Sequence, residues 1–167
     1  FNMSSVLPAD YPNGFRKGFW LVLGSVSLLL FFALLPPFVG ESMRGVLMTA
    51  FSHVCHQLPA RSMHIEGVSV AVCHRCLGAY AGFVLGGVLF AGLKGWWPVP
   101  VRKTAYLLAA AVFPGVLDWS GDVVGLWTNT PTSRMITGAI FGIVAGYILM
   151  LSVVESFGDQ VKTHPEG

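Results

Sequence analysis

The chain has 167 residues, of which 54% are apolar and only 11% charged. A soluble domain carries roughly 25% charged residues to wet its surface, so lipid must cover much of this chain, and its length suits a single membrane domain. A net charge of +2, spread over scattered Lys and Arg, excludes a nucleic-acid binder.

In chain order, the first expected span covers 18–40, an uncharged run rich in Leu and Phe. It is long enough for ~30 Å of hydrocarbon at ~1.5 Å per residue. Arg16 and Lys17 precede it and no small-residue cleavage site follows, so it reads as an uncleaved span rather than a leader. Pro36 and Pro37 end or kink it. Over 41–56, Met43, Leu47, Ala50 and Val54 recur at helical spacing while Arg44, Ser52 and His53 lie off that stripe. This predicts an amphipathic helix lying in the interface and stopped by Pro59. Ala60 to Ser69 reads as a polar connection.

A second span is expected over 73–94, with Trp96 and Trp97 as interfacial aromatics and a turn at Pro98 and Pro100. A third covers 103–125 and meets Asp118 and Asp122 near its end, flanked by Trp119 and Trp127. The fourth covers 134–155, ahead of a polar tail. The fold class is thus all-α, four spans plus one interfacial helix. Arg16, Lys17, Lys94, Arg102, Lys103 and Lys162 fall on one side, and Arg44, Arg61, Arg75 and Arg134 on the other. The excess of basic residues places both termini in the cytoplasm.

Gly78, Gly82 and Gly86 are four apart on the second span, as are Gly138, Gly142 and Gly146 on the fourth. Small residues at that spacing let helix backbones approach closely in lipid. Both helices run in the same direction, so the two sets can pack against each other, or each against any other neighbour, and they hint at a duplicated two-helix unit.

On this topology the ionisable residues gather at one membrane face. Ionisable groups near hydrocarbon are costly and mark functional sites. Cys73 and Cys76 share one helix face, and Cys55 and His56 can complete a tetrahedral set for a metal. Zinc suits thiolate and imidazole donors. The same sulfurs admit two other states: a disulfide from Cys55 to Cys73 or Cys76, or packed thiols. His53 and His64 read as polar-face residues, and His74 as pointing toward the interface. Asp118 needs a cation beside it, from Arg75, Arg134 or a metal. Arg61, Arg75 and Arg134 are candidate clamps for an anion such as a lipid phosphate, with Asp118 or Asp122 as catalytic base.

The run Cys55-His56-Gln57-x-Pro59-x-Arg61-Ser62, then Gly67, then Cys73-x-Arg75-Cys76-x-Gly78-x-Tyr80-x-Gly82 resembles a family of small prokaryotic membrane proteins of unknown function. Asp118, Gly125-Leu126, Arg134, Thr137-Gly138 and Gly142 extend the likeness, which covers roughly 50–146. That pattern has Gly after the third-span acid, whereas Trp119 follows Asp118 here. The resemblance implies a cell-membrane protein of a prokaryote and no particular activity. Three functions fit the residues. One is an accessory or stabilising membrane subunit holding zinc. The second is a metal-dependent enzyme acting on a lipid-linked phosphate. The third is an oligomeric transporter with the two acids on its path. Lipid, other membrane subunits or further copies of the chain are the expected partners.

Overall fold

The computed structural model describes residues 13–93 and 101–163, with side chains over 16–93 and 103–153. The Trp96–Trp97 pair and the turn at Pro98 and Pro100 lie outside the described residues. Five α-helices and one hairpin follow in the order α1 (Asn13–Leu34), α2 (Glu41–Ser52), β1 (Ser62–Ile65), β2 (Val68–Cys73), α3 (His74–Gly92), α4 (Val101–Val123) and α5 (Pro131–Thr163). Three segments are long and apolar enough to cross a membrane: Arg16–Leu34, His74–Gly92 and Pro131–Val153. The helix α4 matches them in length, but Asp118, Asp122 and an internal Pro114 set it apart, and it is not among those three.

α3 and α5 form the centre. They run parallel, and their backbones touch. A side-chain carbon added at Gly78, Gly82 or Gly86 would fall on the carbonyl oxygen of Met135, Ala139 or Ile143. One added at Gly138, Gly142 or Gly146 would fall on that of Arg75, Ala79 or Phe83. Each contact glycine of α5 stands sixty positions after its counterpart on α3, and each contacted carbonyl of α5 sixty after its counterpart on α3, so a local two-fold axis relates the helices. Lipid supplies no hydrophobic force between helices, so close packing and Cα–H···O contacts must hold such a pair.

α1 packs antiparallel across this pair. At one end Phe19, Leu23, Phe90, Ala91 and Met150 form a buried cluster. At the other, Ala33 joins Phe51, Cys55, Ala71, Val72 and Leu77. α4 packs on α5, with Gly115 beside Thr137. It ends in a Schellman cap: Leu126 donates to the Gly121 carbonyl at 2.9 Å and Gly125 to Asp122 at 3.3 Å. That cap needs the left-handed backbone Gly125 adopts, φ 75°. α5 opens with Pro131 in its first turn and a reciprocal cap between Thr130 and Ser133, at 3.0 and 3.1 Å.

The sheet corrects the all-α expectation. Residues expected to form a polar connection fold into an antiparallel hairpin, turned at Glu66 and Gly67 with φ 51° and 80°. Two consecutive positive φ values are what a two-residue type I′ turn requires. Val70, Ala71 and Val72 are fully buried, so β2 is inserted into the end of the bundle. Their alternating β-branched pattern after a turn glycine is a strand signal, masked in the sequence by the polar residues of β1.

The interfacial helix is shorter than expected, ending at Ser52, and its buried face differs. Leu47 and Phe51 are buried, whereas Met43 and Val54 are exposed. Arg44 turns inward instead: its Nε donates to the Pro36 carbonyl and its Nη2 to that of Val39, both at 3.2 Å. Pro36 and Pro37 break the helical ladder at the end of α1, and Arg44 satisfies acceptors left beyond the break. Beside lipid, apolar residues are comfortable facing outward, so the apolar stripe does not mark the protein-facing side.

Gly82→Leu should lower the stability of the detergent-solubilised protein by about 3 kcal/mol or more, because backbone cannot step aside. Gly45→Ala on α2, where an added carbon meets nothing within 4 Å, should leave it unchanged or raise it by up to about 1 kcal/mol. Equal thermal midpoints for the two variants would contradict the α3–α5 contact.

Candidate metal centre

Three segments deliver the cysteines. Cys55 follows α2, its amide donating to the Phe51 carbonyl at 2.9 Å, and is buried. Cys73 ends β2 and is the N-cap of α3. Cys76 lies in the first turn of α3. The three sulfurs lie within 4.8 Å of one another, and none is in a disulfide. The Cys73 amide also donates to the Cys55 sulfur at 3.2 Å.

Two side chains hold this geometry: Gln57, to which the sequence assigned no role, and His74, which it turned toward the interface. Gln57 has φ 50°, a conformation rare outside glycine. It turns the side-chain amide inward, where Nε2 donates to the carbonyls of Met48 at 2.8 Å and Ala71 at 2.9 Å. It thereby ties α2 to β2 and presses the Cys55 segment against Cys73. His74 is buried, not turned to the interface, and its Nδ1 bonds the Arg61 carbonyl at 2.7 Å. That bond fixes the turn after Pro59 to the start of α3.

Sulfur charge is favoured here. The first turn of a helix offers unbonded amides and a positive dipole end. The Cys73 thiol is pulled down to about 5, chiefly by the hydrogen bond from the Cys76 thiol. Burial opposes this, while the Cys76 and Arg75 amides and the Cys55 thiol assist. The set can therefore present a thiolate at neutral pH.

The sulfurs line a cleft of about 300 Å³ that also touches His56, Gln57 and Arg61. His56 and Arg61 are exposed, and His56 stands outside the three-sulfur set. His53 and His64 are exposed as well.

The remaining candidates sit nearer α4. Arg75 Nη2 donates to Asp118 Oδ2 at 2.8 Å, and the carboxylate is only 11% exposed. Asn129 organises the rest. Its amide donates to Asp122 Oδ1 at 3.1 Å, and its Oδ1 accepts from Arg134 Nε at 2.6 Å. Asp122 and Arg134 are thus joined through Asn129, a residue whose polarity alone carries no signal of that role.

Residues 55–148 match a family described as a predicted membrane protein, DUF2085. The chain belongs to this family. An uncharacterised protein of Methanocaldococcus jannaschii is 36% identical over 104 residues, covering 62% of this chain and 66% of that relative. No solved structure matches. The DUF2085 segment opens on Cys55 and runs nearly to the end of the α3–α5 contact, so it holds all three cysteines, the hairpin and all six contact glycines. Of the described elements, α1 and α2 precede it.

The Cys73 pKa is depressed by folding. Its contribution to stability is full above the unfolded thiol value, ~8.5, and is lost as pH falls through about 5. Ultraviolet thiolate absorbance of metal-free protein should show the Cys73 thiolate at pH 7, disappearing near pH 5. Cys76→Ala should move that titration upward by at least one pH unit. An unchanged titration would rule out the Cys76 hydrogen bond as its cause.

Proposed function

We propose that the three cysteines hold a single zinc ion that staples the end of α2 and the hairpin to the start of α3, and that the protein serves as an accessory or stabilising membrane subunit. The observation that carries this is the gathering of three sulfurs from three segments within 4.8 Å. Zinc at ~2.3 Å from each sulfur of a tetrahedral site sets sulfurs ~3.8 Å apart. A contraction of at most about 1 Å therefore suffices. His56, on the same cleft, is the proposed fourth ligand. Thiolate donors favour zinc over the harder divalent ions.

A structural role is supported by the engagement of the other polar residues. Asp118 is paired with Arg75, and Asp122 and Arg134 are held by Asn129. Asp118 or Asp122 acting as a base, or Arg134 acting as an anion clamp, would have to break such bonds first. In this reading α4 is a fourth span, its buried carboxylate made tolerable by Arg75. The excess of Lys and Arg near α1, near the start of α4 and in the tail supports a topology with both termini in the cytoplasm of a prokaryotic cell and the cysteines at the outer face.

Protein purified under reducing conditions should carry one zinc per chain by mass-spectrometric metal analysis. Cys55→Ser and Cys73→Ser should each lower metal content at least tenfold, and chelation should lower the thermal midpoint of the unsubstituted protein only. Metal-free protein with intact thiols, or a Cys55 disulfide, would sink the proposal.

A further inference from the structure

α4 rests on α5 without closing against α3, and a groove lies between them. A cavity of about 490 Å³ opens between Ala79 of α3, Val112, Gly115 and Val116 of α4, and Thr137 and Phe141 of α5. A second, of about 290 Å³, lies further along the same three helices, between Leu89, Leu107, Val144 and Tyr147. Both walls are almost wholly apolar, and two of the three helices are apolar enough to span a membrane. The larger cavity ends on Arg75. Asp118 occupies the Nη2 of that guanidinium, but its Nε is buried with no hydrogen-bond partner among the described residues.

We infer that this groove binds one phospholipid of the surrounding bilayer, its acyl chain along the α3–α4 gap and a phosphate oxygen on Arg75 Nε. A buried donor left unpaired costs roughly 1–3 kcal/mol, more on a charged group. An occupant that fills the groove and also carries an acceptor relieves that cost. A helix of a second copy fills apolar space but offers no free acceptor, because its backbone carbonyls are bonded internally. A phosphate offers several, and arginine is well suited to it. From Arg75 to Leu93 the helix rises ~27 Å at ~1.5 Å per residue, so the groove outlasts one leaflet of a ~30 Å core and accommodates a whole acyl chain. Cys76 lies between this groove and the cysteine cleft and lines both, but the lipid contacts themselves do not require zinc.

Native mass spectrometry of the full chain tests this. The protein is released from micelles containing equimolar phosphatidylethanolamine, phosphatidylglycerol and diacylglycerol, and zinc is measured in the same samples. One phospholipid per chain should be retained, about tenfold over diacylglycerol. Val116→Trp, at an exposed position on the groove wall, should cut retention about tenfold with zinc content unchanged. Arg75→Gln combined with Asp118→Asn removes both charges together, and should abolish the preference for phospholipid while diacylglycerol is still retained. Equal retention of phospholipid and diacylglycerol by the unsubstituted protein would show annular lipid only and overturn the inference. So would retention unaffected by Val116→Trp, or a dimer lost in that variant, which would give the groove to a second copy.

Discussion

The approach of α3 to α5 governs what the rest of the chain can do. Six glycines bring two backbones together where side chains would hold them apart. Because the helices run parallel, their first turns lie side by side at one end of the bundle, and Arg75 stands beside Gly138. The cysteines of α3, the cap of α5 and the end of α4 are brought to one end by that contact. The same contact makes the groove, because α4 packs on α5 and has no glycine face of its own for α3.

Around that pair, the bundle is shaped by the need to satisfy polar groups where water is scarce. Pro36 and Pro37 interrupt the first helix, and Arg44 answers the exposed carbonyls. β2 is buried at its centre, and Gln57 bridges from it to α2. The acid of α4 is matched by Arg75. Each bond joins separate segments, and the Gln57 bridge holds the Cys55 segment against β2. Among the described residues, the one buried side-chain donor left unmatched is Arg75 Nε, on a residue that lines the groove.

Much of the architecture is legible in composition and spacing. Charge-free runs give α1, α3 and α5, and glycines four apart name the helix faces that meet. The cysteine set is legible too, since Cys73 and Cys76 share a helix face, although bringing Cys55 to them requires tertiary contact. The hairpin was hidden because Ser62 and His64 read as loop residues, while the strand that matters, β2, runs directly into α3. The face of α2 misled for a different reason. Amphipathic reasoning assumes that water lies on one side, and lipid reverses that preference. Asn129 and Gln57 could not be found, because a polar residue in a loop gives no sign of which distant backbone it bonds.

In the proposed site one ion joins three sulfurs from separate segments. X-ray absorption at the zinc edge of the purified, reduced protein measures this directly. Three sulfur neighbours at about 2.3 Å and one lighter atom at about 2.0 Å are expected. A shell of nitrogen and oxygen alone would contradict the proposed site.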